Sequence, residues 1–469
     1  MARKFSSGIS RLLRGLLQTR WLSALVPGAI AGTAIGLAGC GPSGEAALYR
    51  PRTYAFPVPP GVTFDLQAGQ EIPDDDLAAR LAHIRVIFVG ENHNEPRSHA
   101  FQVHIIRQLI AAGRKVTVAL EMLTPDADKA LEGWRTGKLS EEEFLSQSQW
   151  YTRWGFPWKF YQPVFELVRE HKLPIHGINA EEAERAAARK GDLAELSPSL
   201  QEEIGDLSQH LRPHTFQFED LITSAGHGSS LQPGSERFES MRRVQWLWER
   251  LMGVRAVRLA EAAGGRSHAE RVSSIVVVLI GSGHLRYGLG AQLQAARVTT
   301  LPTLSVVDQI VAEEDGPLYP VAVGTGNWVR LYPRPPEPPS YPALVGLKLV
   351  STTEPDLDSP PKKKEGQDHD APTMAGADPS KVDSDPTKTP AAPLPPGVKI
   401  ASISPFRKAL WQEFQPGDVI TALNGKAVTN ATQLRLAWEQ LAAGDQVDLS
   451  IFREEQTLTL QHTIQVPKF

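Results

Sequence analysis

The sequence predicts an α/β fold in which a mostly parallel β-sheet is flanked by helices. Four short apolar runs, partly β-branched, indicate buried strands, and helical patterns alternate with them as in βαβ units. Continuous apolar runs are typical of parallel strands that are covered on both faces. The four runs are Val86–Gly90, Lys115–Leu120, Leu173–Ile178 and Ser274–Ile280.

Each run ends in residues that can bind a ligand or transfer a proton. Glu91 and His93 follow the first run, and Glu121 follows the second. Asn179 follows the third, and the fourth leads into Gly-Ser-Gly and then His284. Because ligand crevices of open α/β sheets lie at the carboxyl ends of the strands, these endings predict a functional crevice.

A helix is predicted directly after the first strand. Pro96 fits its first turn, Asn94 or Glu95 fits its cap, and His99 would lie one turn inside it. The free N–H groups at its start would suit an anion such as a propionate.

Helical patterns recur through the rest of this region. They cover 96–112, 125–135, 140–148, 160–172, 180–190, 198–211, 236–264 and 289–296. The excursion 191–235, which carries His210, His214 and His227, is longer than a plain connection and predicts a helical lid. Trp150, Trp154 and Trp158 recur every four residues and are expected to pack around a helix corner.

The composition allows two domains and excludes an electrostatic nucleic-acid binder. The chain has 469 residues, 41% of them hydrophobic, and a formal net charge of −4. Cys40 is the only cysteine, so no internal disulfide can form.

The N-terminus predicts a targeting segment over residues 1–40. Basic residues precede the apolar run Trp21–Ala38, and the run ends in Leu-Ala-Gly-Cys40. This ending resembles the bacterial lipoprotein signal, which implies lipidation of Cys40. Gly41 after the cysteine implies the outer membrane, with the protein facing the periplasm. An uncleaved anchor is the alternative.

Composition also predicts the domain boundaries. Residues 41–75 are predicted to be a tether and lead-in segment, and residues 76–331 the first domain. The stretch 351–396 is polar, rich in Pro, Asp, Ser and Thr, and without aromatic residues, which predicts disorder.

The C-terminal region resembles a PDZ domain of the bacterial periplasmic type. Its signals are Pro416-Gly-Asp418, the Asn424-Gly425 turn, a helix near 430–441 and a hairpin over 446–464. We predict a PDZ domain over 337–465 with the stretch 351–396 inserted in it. A self-contained domain starting at 397 is the alternative. The residues expected to bind a peptide or protein C-terminus are Leu344, Val345, Gly346 and Leu347.

The first domain resembles the ChaN-type haem-binding lipoprotein family, within a group that includes erythromycin esterases and TraB/Tiki proteins. The resemblance rests on Gly90-Glu-Asn-His93, Glu121, Leu131–Phe144, Phe160–Glu166, Gln245–Met252 and Gly281–Gly290. It implies a mostly parallel sheet with a lid, and non-covalent binding of haem or an iron cofactor for iron uptake or haem handling. A homodimer is compatible with it.

The resemblance and the strand ends together give the candidate site. The cofactor-binding candidates are Glu91, His93, His99, Glu121, Tyr161, Asn179, Glu249 and His284. His93 and His284 are the candidate metal ligands, and Tyr161, His214 and His227 could cap a flat apolar ligand. Two alternatives stay open. One is a hydrolase in which Glu91, His93, Glu121 and His284 hold a divalent metal, and the other is a PDZ scaffold with a vestigial pocket. No residue is assigned as catalytic.

Overall fold

The computed structural model describes residues 55–206, 211–224, 232–264, 273–311, 318–335, 344, 346–353 and 394–465. Several predictions lie outside these ranges: the signal segment with Cys40, His210, His227, Val345 and most of the stretch 351–396. Within the described ranges, no helix is both long and apolar enough to cross a membrane.

A mostly parallel sheet forms the centre of the first domain. Its described strands are β1 (Ala55–Val58), β2 (Thr63–Asp65), β3 (Gln70–Ile72), β4 (Val86–Glu91), β5 (Lys115–Leu120), β6 (Ile175–Gly177), β7 (Ser274–Gly281), β8 (Thr303–Val311), β9 (Tyr319–Ala322) and β10 (Trp328–Pro333). Eight of them pair in the order β3-β2-β10-β8-β4-β7-β5-β6. The strands from β10 to β6 pair in parallel, whereas β2 and β3 form an antiparallel edge. A separate antiparallel pair joins β1 to β9.

Helices cover both faces of this sheet. The described helices are α1 (Leu77–Arg80), α2 (Pro96–Ala111), α3 (Asp128–Arg135), α4 (Glu141–Gln147), α5 (Trp150–Arg153), α6 (Trp158–His171), α7 (Glu182–Lys190), α8 (Pro198–Ile204), α9 (Arg212–Ser224), α10 (Glu236–Ala263) and α11 (Ala291–Ala296). One core cluster contains Ile105 of α2 and Phe165 of α6, and the other contains Met252 of α10 and Ala291 of α11. Every residue of β4 and β7 is therefore buried, as continuous apolar strands require.

The architecture confirms the predicted α/β class with a mostly parallel sheet and flanking helices. Two boundaries differ from the prediction. The folded domain begins before residue 76, because β2 extends the sheet by pairing with β10. The helix predicted over 198–211 ends at Ile204, because Gly205 has a positive φ of 68° that a helix does not allow, and α9 begins at Arg212. Strands β8 and β10 were not predicted from the sequence.

The described residues of the C-terminal domain form a small antiparallel sheet and one α-helix. Its elements are β11 (Leu347–Ser351), β12 (Val398–Ile403), β13 (Val419–Leu423), β14 (Lys426–Ala427), α12 (Ala431–Trp438), β15 (Gln446–Arg453) and β16 (Gln456–Thr463). The strand order is β11-β12-β13-β15-β16, with β14 paired to β13. Thus β11, which precedes residues 354–393, shares a sheet with strands that follow them. Asn424 and Gly425 both have positive φ angles, as a two-residue hairpin turn demands.

Candidate functional site

The carboxyl ends of β4, β5 and β7 bring the predicted polar residues to one rim. Glu91 is the last residue of β4, Glu121 follows β5, and His284 lies in the short 3₁₀ turn after β7. The Gly281 amide at the end of β7 donates to Oε2 of Glu121 over 2.5 Å. We call the region formed by Glu91, His93, Glu121 and His284 the crevice.

The Glu91 carboxylate is the centre of the first half of the crevice. Its Oε1 lies 2.8 Å from Nδ1 of His93 and accepts a 2.7 Å hydrogen bond from the Tyr161 hydroxyl. Its Oε2 accepts from Gln102 Nε2 at 2.7 Å and lies 3.6 Å from Nδ1 of His99. Burial alone would raise the pKa of Glu91, but His99, His93 and Tyr161 lower it to about 2. Glu91 is thus an ionised buried anchor.

His93 is the exposed member of this group. Its side chain is 29% exposed, whereas that of Glu91 is fully buried. Burial opposes protonation of the ring, but the hydrogen bond and the charge of Glu91 prevail and raise the pKa of His93. The ring packs against Trp154 and Phe156, with centroid distances of 4.7 and 4.9 Å. Gly281 makes room for it, since a Cβ there would lie 2.9 Å from Cε1 of His93.

His284 occupies the second half of the crevice between two carboxylates. Its Nε2 lies 3.2 Å from Oε1 of Glu121 and its Nδ1 3.3 Å from Oε1 of Glu249. Glu249 also contacts Nε2 of His214 at 2.8 Å. Although burial opposes it, Glu121 and Glu249 raise the pKa of His284 to about 10, so the ring is a buried cation. Gln245 Nε2 also lies 2.9 Å from Nδ1, so both ring nitrogens of His284 have partners within the protein.

Tyr161 and Asn179, which were both expected to contact the cofactor, form hydrogen bonds within the protein. Tyr161 is 1% exposed and donates to Glu91, so it belongs to the support of the crevice rather than to a lid. Burial and the Glu91 charge raise its pKa well above the usual value, so the phenol stays protonated. Asn179 Nδ2 donates to the Glu121 carbonyl at 2.8 Å, which fixes the backbone after β5.

The expected anion site at the start of α2 is already filled. Glu95 is the cap residue, and its carboxylate accepts from the backbone N–H and the guanidinium of Arg97. The carboxylate therefore occupies the position that a propionate was expected to take. His99 lies nearby, with Nε2 3.2 Å from the His93 carbonyl oxygen.

Asp308 on β8 is a buried residue of the rim that the sequence analysis missed. Its carboxylate accepts from the hydroxyls of Ser98 and Ser282 and from the Asn92 amide, which ties the segments after β4 and β7 together. Burial raises the pKa of Asp308, although these hydrogen bonds act to lower it. An aspartate inside the apolar run 303–311 is the signal that could have identified it.

The described residues hold no group of three His, Cys, Asp or Glu side chains arranged to bind a metal ion. Instead, each crevice carboxylate is paired with an imidazole at hydrogen-bonding or ionic distance. In the PDZ-like region, Gly346 has a φ of 82° and its carbonyl accepts from the Ser404 amide. Leu344, which precedes β11, is half-buried, and Leu347, the first residue of β11, is buried.

Fold and site together define a parallel α/β domain with a carboxylate–imidazole crevice at the strand ends, followed by a small antiparallel domain. Residues 77–294 match the family model described as haem-binding uptake, Tiki superfamily, ChaN, and residues 376–464 match the PDZ domain model. By these matches, residues 77–294 are similar to the ChaN-like haem-binding family and residues 376–464 to PDZ domains.

Several solved structures are similar to this chain. ChaN of Campylobacter jejuni, described with cofacial haem binding, has 20% identity and a TM-score of 0.43 over 58% of this chain and 98% of that one. The erythromycin esterase EreC in its open conformation has 11% identity and a TM-score of 0.29, covering 55% and 83%. The HtrA-type protease AlgW with a decapeptide has 17% identity and a TM-score of 0.14, covering 15% and 22%. No curated protein sequence matches the chain.

Proposed function

We propose that the first domain binds haem non-covalently in the crevice, with the His93 imidazole as an iron ligand, in iron uptake or haem handling. One observation carries this proposal. His93 combines a partly exposed ring with an Nδ1 held by a buried carboxylate. We find no hydrogen-bond partner for its Nε2 among the described residues. The description of the matching family model, haem-binding uptake, supports haem as the bound group.

The surroundings of His93 fit a flat apolar ligand with an iron centre. A carboxylate at the second nitrogen orients a histidine ligand and increases its basicity, which is the role that Glu91 fills. Trp154 and Phe156 offer apolar surface beside the ring. Bound ferric haem would supply an iron that accepts an imidazole nitrogen. The metal-dependent hydrolase is less well supported, because the described residues hold no group of three His, Cys, Asp or Glu side chains that could bind a metal ion.

A haemin titration of the full chain tests the proposal. We expect a shifted Soret band for the unaltered protein and at least a ten-fold weaker affinity for His93→Ala. His176→Ala is the matched control, because its Nδ1 also contacts a carboxylate, that of Asp128, and its side chain is 35% exposed. Equal haemin affinity and spectra for His93→Ala would refute the proposal. Bound zinc or manganese without any Soret shift would favour the hydrolase.

We also propose that the protein is a lipoprotein anchored through Cys40 to the outer membrane and facing the periplasm. The basic-apolar-cysteine order of residues 1–40 supports this. Two or more acyl chains give stable anchoring. In fractionated bacterial cells, the unaltered chain should sediment with outer membranes and Cys40→Ser should not. Membrane retention of Cys40→Ser through its uncleaved segment would contradict lipidation.

We propose that the PDZ domain binds a peptide or a protein C-terminus through the Leu344–Leu347 loop. Strand β11 is at the edge of its sheet, so an extended segment can add to it through backbone hydrogen bonds. Fluorescence anisotropy with labelled peptides tests this. Absence of binding for every free C-terminus tried, over a diverse set, would contradict it.

A further inference from the structure

The groove beside β11 is not formed by the PDZ domain alone. It has a volume of about 400 Å³, and its PDZ walls include Gly346–Leu349 and Arg435 of α12. Tyr151 and Thr152 of α5, in the first domain, line the same groove. A ligand that adds to β11 would therefore contact both domains.

Helix α12 is held against the first domain by several hydrogen bonds. The Glu439 carboxylate accepts from the amides of Trp158 and Lys159 at 3.1 and 3.3 Å, which caps the start of α6. Asn430 and Gln433 donate to Glu142 Oε1 at 2.9 and 2.8 Å. Because Glu439 and Asn430 are buried, this contact fixes the groove wall to the first domain.

Helix α5 connects the groove to the crevice. Arg435 lies over the Tyr151 ring at 5.4 Å on the groove side. Trp154, the residue that ends this short helix, packs edge-on against the His93 ring on the crevice side. Tyr151 and Trp154 lie three residues apart, so one short segment contacts both the groove and the crevice.

We propose that the PDZ groove is completed by α5 of the first domain, that it takes an acidic protein C-terminus, and that filling it changes ligand affinity at His93. The coupling part rests on the proposed haem binding, whereas the composite groove does not. Peptide contacts with Tyr151 and Thr152 bias the position of α5, and Trp154, the residue directly after α5, packs edge-on against the His93 ring.

The charges of the groove favour an acidic C-terminus. Lys348 and Arg435 line it, and the described lining residues include no carboxylate. The buried side chains of Leu347 and Leu349 provide apolar surface for an aliphatic last residue. Backbone pairing with the edge strand adds affinity without regard to sequence.

Peptide anisotropy with the full chain tests the composite groove. The probe is a fluorescein-labelled decapeptide with two acidic residues before a terminal valine, and its lysine-substituted counterpart is the control peptide. We expect preferential binding of the acidic probe, weakened roughly two- to five-fold by Thr152→Asp, because exposed charge contacts are worth little each. Thr152→Ala is the matched control, with near-unaltered binding. Equal binding of both peptides overturns the charge assignment, and no effect of Thr152→Asp overturns the composite groove.

Two measurements test the coupling between groove and crevice. The first requires haemin, and the second uses peptide alone. Saturating acidic peptide should change haemin affinity at least about five-fold, and haemin should change peptide affinity by the same factor. Peptide alone should alter amide hydrogen exchange over residues 149–156. An exchange change without haemin binding refutes the proposed function but keeps the link between groove and crevice. Haemin binding that is unaffected by peptide, with unaltered exchange, refutes the coupling.

Discussion

Replacing His284 with alanine should destabilise the first domain strongly. The imidazolium lies between Glu121 and Glu249, which are 5% and 1% exposed. Removing it leaves two buried carboxylates without their shared cation. Although burial raises the pKa of Glu249, His214 and His284 lower it from 4.5 to about 2. Loss of one partner from a buried ion pair costs about 3–5 kcal/mol, which sets the loss expected for His284→Ala.

Urea unfolding followed by circular dichroism measures this cost. We expect His284→Ala to lose about 3–5 kcal/mol and His176→Ala less than about 1 kcal/mol, because the His176–Asp128 pair is exposed to water. A loss below about 1 kcal/mol for His284→Ala would refute the view that the imidazolium holds two buried charges together.

The stability difference between the unaltered protein and His284→Ala should depend on pH in a defined direction. The pKa of His284 is raised from 6.5 to about 10, so its contribution is complete below pH 6.5 and is lost as the pH rises through 10. The lowered pKa of Glu249 adds stability above pH 4.5 that is lost as the pH falls towards 2. The difference should therefore be largest between pH 4.5 and 6.5. A difference that grows from pH 7 to pH 10 would contradict this assignment.

Three further changes test the supports of the crevice and the domain contact. Tyr161→Phe removes a hydrogen bond to the buried Glu91 and should cost about 1.5–3 kcal/mol in urea unfolding, and a neutral effect would contradict that role. Gly281→Ala places a Cβ 2.9 Å from His93 and should weaken haemin binding at least ten-fold in a titration with a near-native circular dichroism spectrum. Unaltered haemin affinity would show that the room left by this glycine is not needed. Glu439→Ala removes the cap of α6 and should lower stability by about 1–2 kcal/mol, with Glu439→Gln closer to the unaltered protein, and equal stability of all three would refute the capping contact.

The rim could be predicted from sequence because it follows from strand pairing alone. Parallel strands end at one edge, so Glu91 at the end of β4 and His93 in the turn that follows both lie at the rim. The structure indeed pairs them at 2.8 Å. The position of His284 after β7 follows from the same rule, and Glu121 lies within ionic distance of it.

The supports of the rim depend on packing that sequence periodicity does not specify. Tyr161 of α6 donates to Glu91 from 70 residues further along the chain, and this contact depends on how the helix packs on the sheet. Asp308 lies on β8, a strand that the sequence analysis missed, so its bonds to both neighbouring strand ends were not foreseen. The start of α2 was expected to bind an anion, but the Glu95 carboxylate already accepts a hydrogen bond from the backbone there.

The contact between the two domains also could not be predicted from the sequence. The helix and turns of the PDZ domain were recognisable from local signals, but nothing in their pattern indicates which surface they pack against. Glu439 is buried because it caps α6, a helix 281 residues earlier in the chain. Such a pairing becomes visible only when the two domains are placed together.

The central claim, that the His93 imidazole binds haem iron, is tested most directly by ligand replacement. Full-length His93→Gly is loaded with haemin, and the Soret band is recorded before and after addition of free imidazole. If His93 is the ligand, the variant lacks the native band, and imidazole restores it by filling the vacated position. A native band in His93→Gly without imidazole would contradict the claim.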